Sequence, residues 1–146
     1  MYACRLRRAV ARFVEVGIGG GPPEEETMRA LERALVAQLG AAGSTDTLLA
    51  ALLALVGAST RALGVEGSQQ LHLALCMATR SESLSTRRGA MHGLSRLYAE
   101  LRDGALVYVP EALPFVSELM EDGDSVVRNS AVALARQFDV WGHSEQ

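Results

Sequence analysis

LPFVSELMEDGDSVVRNSAVALARQF, residues 113–138, is the stretch that decides the fold. Apolar residues recur at three- and four-residue spacing on both sides of an acidic EDGDS turn, the period of one buried helix face. Pro114 bends or starts the first helix. Asp122 and Asp124 lie in the turn, where short carboxylate side chains cap a following helix. Val127 is placed to plug the seam between packed helix pairs. Arg128 can reach an acid or backbone carbonyls in a neighbouring turn, and Ala131 is small enough for a close helix crossing. The stretch reads as helix, polar turn, helix.

LHLALCMATRSESLSTRRGAMHGLSRLY, residues 71–98, follows the same plan. Placing Arg128 on Arg87 gives a 41-residue offset, and Ala131 then falls on Ala90. Paired helices with a period of about 40–47 residues resemble HEAT and armadillo repeats. The expected fold is therefore all-α, a HEAT-type α-α superhelix of about seven helices. It is taken as one HEAT-repeat-like domain over residues 1–146. The helix pairs are placed at about 24–63, 69–102 and 111–140, after an N-terminal helix over 2–16.

The rest of the chain punctuates itself. Glycines 17, 19, 20 and 21 end the first helix. Pro22 and Pro23, followed by Glu24, Glu25 and Glu26, make a helix start. Met28, Leu31, Leu35, Val36 and Leu39 share one face of the second helix. The third starts behind Ser44, Thr45 and Asp46 and runs to about Leu63, apolar nearly all round, as a central helix is. The fourth, about Gln69 to Ala78, faces Leu71, Leu75 and either Cys76 or Met77 inward. The fifth, about Ser85 to Arg102, buries Met91, Leu94, Leu97, Tyr98 and Leu101. LVYV, residues 106–109, is the one β-like run, and it stops at Pro110. The sixth helix covers about Glu111 to Glu121. The seventh covers about Ser125 to Val140, exposing Arg128 and Arg136 and burying Val127, Ala131, Leu134 and Phe138. The tail frays from Gly142.

Composition narrows the function. Hydrophobic residues make up 49% and aromatics only 5%, so the apolar mass is Leu, Ala and Val, suited to packed helices. All fourteen basic residues are arginine, which fits codon bias in a GC-rich genome, and the net charge is −3, so no global basic field holds nucleic acid. Cys4 and Cys76 make neither a disulfide framework nor a metal-ligand spacing. No uninterrupted apolar run reaches the ~18 residues of a membrane span, and no membrane partner is expected. Met1 to Val14 holds Arg5, Arg7, Arg8 and Arg12 without an acid, like a mitochondrial presequence. Leu6, Val10, Phe13 and Val14 equally suit an ordinary packed helix.

The sequence carries none of the nucleophile, zinc, phosphate-loop or redox motifs of common enzymes. His72, His92 and His143 have no ligand spacing to one another and read as packed or surface residues. The GIGGG run at 17–21 lacks the strand of a dinucleotide site. Glu118, Glu121, Asp122 and Asp124 lack the spacing of a calcium loop and read as a capping, solvated turn. No catalysis, cofactor, metal or small-molecule substrate is expected. Arg80, Arg87 and Arg88, with Arg96 nearby, form a patch that is the candidate contact for an acidic partner or an RNA backbone. It has no interleaved aromatics for base stacking.

Residues 79–134 carry a more particular likeness. Thr79-Arg80, Arg87-Arg88, Val109-Pro110-Glu111, and Pro114-Phe115 through Asp122 resemble the C-terminal end of the U3 small nucleolar RNA-associated HEAT-repeat proteins of the small-subunit processome. LVAQLGAAG at 35–43 and ALGVEGSQQLHLALCM at 62–77 are similar to the same region, more loosely. Val126-Val127-Arg128 departs from the family's more acidic last helix and is closer to ordinary HEAT repeats. Members are much longer, so this chain corresponds to a terminal piece. The resemblance implies a non-catalytic nucleolar scaffold in ribosome biogenesis and pre-18S rRNA processing. Its partners would be proteins of a large ribonucleoprotein assembly, with U3 RNA or the pre-rRNA backbone as further contacts. A HEAT adaptor in nuclear transport, chromatin or mitochondrial assembly is the alternative.

Overall fold

Acids at a helix start and apolar residues at helical spacing set the first element of the structure, a computed structural model that describes residues 25–42 and 46–144. Helix α1 (Glu25–Ala42) opens on Glu25 and Glu26, whose charges complement the positive end of the helix dipole. Met28 and Leu35 are fully buried one face along, with Leu31 and Val36 packed against them. The helix expected over 2–16 and the patch of Arg5, Arg7, Arg8 and Arg12 lie outside the described residues.

Helix α2 (Asp46–Gly67) runs past its expected end at Leu63. Gly64 bends it there at φ 68° and ψ −166°, a backbone conformation that a side chain would strain. Leu52, Leu55, Val56 and Ser59 are wholly buried, and the helix packs on α1 and most extensively on α4. Averaged over its length, Leu49–Gly67 is apolar enough to cross a membrane. Arg61 and Glu66 interrupt that stretch, and in this fold it is the central packing helix.

Helices α3 (Gln69–Ala78) and α4 (Leu84–Leu101) form the next pair. Of the two inward candidates on α3, Cys76 is buried and Met77 is 55% exposed. Their crossing is close because Gly93 has no side chain; a Cβ there would stand 2.9 Å from Leu75 Cδ2. Residues 102–108 form a 3-10 helix, and the short β-like run LVYV makes no strand. Arg102, at φ 53°, turns the chain out of α4, and Ala105 and Tyr108 anchor the segment in the core.

Helix α5 (Val109–Leu119) carries Pro110 in its first turn and Pro114 inside, on its exposed side. Helix α6 (Ser125–Ser144) buries Val127, Ala131, Leu134 and Phe138, as their spacing requires. It continues through Gly142, where fraying was expected. The described residues thus hold six α-helices and one 3-10 segment, against about seven helices expected, and no strand.

The contacts arrange these helices in two layers. α1, α3 and α5 succeed one another in one layer, and α2, α4 and α6 in the other, each helix also packing on its sequence partner. The faces between the layers merge into a continuous core from Met28 to Phe138.

Candidate interaction surface

The two turns that join α3 to α4 and α5 to α6 are built alike. In the first, Ser83 Oγ accepts from the Thr86 amide at 3.4 Å, and the Ser83 amide donates to Ser81 Oγ at 3.1 Å. In the second, Asp124 Oδ2 accepts from the Val127 amide at 3.1 Å, and the Asp124 amide donates to Asp122 Oδ1 at 2.9 Å. Each turn also holds an arginine folded back on it. Arg87 Nη1 donates to the Ser81 carbonyl at 3.2 Å, and Arg128 Nη1 to the Asp122 carbonyl at 2.7 Å. Ser81, Ser83, Thr86 and Arg87 are one 41-residue step from Asp122, Asp124, Val127 and Arg128. The same side-chain-to-backbone pattern is found in both turns. Arg128 reaches its own turn rather than a neighbouring one.

The expected contact arginines lie along these turns, and all three are paired. Arg80 makes a two-pronged contact with Glu118, Nη2 to Oε1 at 2.8 Å and Nε to Oε2 at 3.0 Å, while its guanidinium carbon sits 4.2 Å above the Phe115 ring. Arg87 approaches Asp122 with Nη2 at 3.3 Å and Nε at 2.9 Å; the Nε contact is an ion pair out of line for a hydrogen bond. Arg88 grips Asp124 with Nη2 at 2.7 Å and Nε at 3.1 Å. These hydrogen bonds hold the Asp124 carboxyl below the usual carboxylate range. The acidic turn expected to be solvated is thus the far half of a bracket joining one helix pair to the next. Arg96 is engaged elsewhere, sharing Glu100 with Arg61. Pro114 lies on the exposed side of α5, and Val127 and Ala131 lie in the core between α5 and α6.

Sequence reasoning missed a second polar group. His72 is fully buried, with Nδ1 2.8 Å from Glu111 Oε1 and Nε2 2.8 Å from the Tyr98 hydroxyl. A carboxylate only accepts, so Nδ1 carries the proton and Nε2 accepts from Tyr98. The ring stacks on Tyr108 at 4.8 Å, and the Tyr108 hydroxyl donates to the Val65 carbonyl. Cys76 Sγ lies 3.8 Å from His72 Nε2. A cysteine, a histidine and a glutamate in series resemble a nucleophile's relay, but the chemistry runs the other way. Burial pushes the Cys76 thiol up to about 12, whereas a nucleophile needs it lowered. Burial also keeps His72 neutral by lowering its pKa, against the opposing pull of Glu111. The group is a satisfied polar core. The only sequence hint was a histidine on the apolar face of α3, one residue from Leu71.

No group of three or more His, Cys, Asp and Glu side chains that could hold a metal ion occurs among the described residues. No protein-family model and no solved structure matches the chain. Curated proteins do. The chain is 36% identical over 124 residues to the U3 small nucleolar RNA-associated protein 10 of Neurospora crassa. It is 28% identical over 86 residues to the protein of that name in Schizosaccharomyces pombe, and 32% identical over 63 residues to an uncharacterized Arabidopsis thaliana protein. These alignments take in 84%, 59% and 43% of this chain but only 7%, 5% and 3% of the relatives. An alignment of this identity over 84% of the chain reflects common descent, and the chain belongs to the family of U3 small nucleolar RNA-associated protein 10, as the counterpart of one region of it.

Proposed function

We propose that this chain is a non-catalytic HEAT-type scaffold module of the small-subunit processome. It acts in the nucleolus during pre-18S rRNA processing. The observation that carries the reading is the 36% identity, over most of the chain, to a U3 small nucleolar RNA-associated protein. Under this reading residues 1–146 form one helical-repeat domain, and Pro114, Asp122, Val127, Arg128 and Ala131 are its repeat signature. Two further observations support it. The turn hydrogen bonds recur at the 41-residue step, and the helices alternate between two layers, as stacked helix pairs do. Stacked pairs offer long surfaces for other macromolecules rather than a reactive pocket.

The partners are proteins of the ribonucleoprotein particle, with U3 RNA or the pre-rRNA backbone at its edges. Arg80 and Arg88 keep 46% and 43% of their side chains exposed outside their ion pairs, and with Arg87 they form the edge for a phosphate or an acidic partner. The names of the relatives give the mitochondrial alternative no support.

Affinity purification of the tagged protein from its own cells, reading proteins and RNA, tests this. Enrichment of U3 RNA with processome proteins over an untagged control is the expected result. Enrichment of transport, chromatin or mitochondrial factors without U3 RNA overturns it in favour of another HEAT adaptor.

A further inference from the structure

A cleft of about 530 Å³ opens where the end of α2, the start of α3, the 3-10 segment and the start of α5 meet. Its walls are Val65, Glu66, Val107, Tyr108 and Glu111, with Gln69 and Gly104 at the edges. No arginine lines it, and among the described residues none pairs with Glu66 or Glu111. The arginines of the turns take no part in it.

We infer that this cleft docks an arginine side chain presented by a basic segment of a partner protein. The walls match that side chain part by part. Glu66 and Glu111 supply carboxylates, which a planar guanidinium pairs with in two-pronged fashion. Val65 and Val107 offer apolar surface for the aliphatic stem; Val107 is 67% exposed. Tyr108 also borders the cleft but, at 6% exposure with its ring stacked on His72, it bounds the space without offering an open face.

The site is also held in shape before any partner arrives. Buried His72 binds Glu111 through Oε1, leaving Oε2 without a partner in the described chain. The Tyr108 ring is fixed by its bond to the Val65 carbonyl and by its stack on His72. Binding therefore orders little that is not already ordered. Phosphate is repelled by the two carboxylates, so this face selects protein over RNA. The inference rests on the cleft alone and holds whichever assembly the chain serves.

The test is fluorescence anisotropy on the full chain with a labelled peptide of alternating glycine and arginine. The same peptide with citrulline in place of arginine keeps the shape and removes the charge. The arginine peptide should bind about ten-fold or more tightly than the citrulline peptide, and salt at about 0.5 M should weaken it. Glu66→Gln combined with Glu111→Gln should cost a similar factor. Because Glu111 also serves His72, two single variants at exposed positions stand beside it. Glu66→Gln should weaken binding, and Val107→Arg, which places a guanidinium in the cleft, should abolish it, both with unchanged circular dichroism. Equal affinity for the citrulline peptide overturns the proposal. So does undiminished binding by Glu66→Gln and Val107→Arg, or no binding of the arginine peptide at all. Competition by single-stranded RNA that is lost in these same variants overturns it in favour of a nucleic-acid site.

Discussion

His72 sits at 0% exposure with both ring nitrogens bonded, so its environment is set for the neutral ring and against the imidazolium. Burial lowers its pKa below the usual 6.5. The unfolded chain therefore binds a proton at this residue before the folded one does, as pH falls. The stability His72 contributes is fully present above about 6.5 and is lost as pH drops through the window below it. Glu32 has the opposite sign. Burial raises its carboxyl above the ordinary 4.5, and the hydrogen bond from Ser59 only partly offsets this. Its contribution is present below 4.5 and is lost as pH rises through the raised value. In urea unfolding between pH 7.5 and 5.5, His72→Gln should lack the loss of stability on acidification that His72 contributes, so the gap between wild type and variant should narrow as pH falls. That variant should also be less stable throughout by about 1–3 kcal/mol, because Glu111 and Tyr98 lose a partner. An unchanged slope in the variant would assign the titration to another group.

Helix ends depend on caps, and Asp124 does two things at one end. It caps α6 through the Val127 amide and receives Arg88 from the preceding turn. Asp124→Ala should therefore cost more than Arg88→Ala: about 1–2 kcal/mol, against less than about 1 for an exposed arginine whose loss leaves the cap intact. Equal shifts in the urea midpoint would mean that the cap contributes nothing. The cap itself was legible in the sequence. The short acids of the EDGDS turn marked the start of α6, and α3 fell on Gln69–Ala78 as expected. The 3-10 segment was not legible. LVYV has the β-branched and aromatic content of a strand, and only tertiary contacts, Tyr108 to Val65 and the burial of Ala105, hold it in a tight helix. The arginine partners were hidden for a related reason. Arg80, Arg87 and Arg88 were visible as a patch, but Glu118, Asp122 and Asp124 are 35 to 38 residues away. The 41-residue step contained the clue, since it sets each arginine beside the next turn. The buried pairing of His72 with Glu111 left no such trace, because the two residues stand 39 positions apart and no shared motif marks them as partners.

Among the described helices each pair packs on the next, so the seams between successive pairs bear on the rigidity of the molecule. Between the last two pairs, α3 touches α5 and α4 touches α6 through apolar side chains, and the three arginine–carboxylate contacts clamp the same seam at its turn end. The contacts differ in strength by exposure. Arg80 and Glu118 are 46% and 55% exposed and contribute little in water; Arg87 and Asp122, at 20% and 11%, are shielded. A double-mutant cycle on Arg87→Ala and Asp122→Ala should therefore give a coupling energy of about 1 kcal/mol, and the cycle on Arg80→Ala and Glu118→Ala less than about half of that. The cycle is needed because each residue also serves its own turn. Arg87 donates to the Ser81 carbonyl, and Asp122 accepts from the Asp124 amide, so single losses overstate the pair. The couplings should also respond differently to salt. About 0.5 M salt should nearly erase the Arg80–Glu118 coupling and leave most of the Arg87–Asp122 coupling, since screening acts on exposed charges. Zero coupling at Arg87–Asp122 in low salt would mean that the seam is held by its apolar contacts alone, and that the arginines are free to serve a partner.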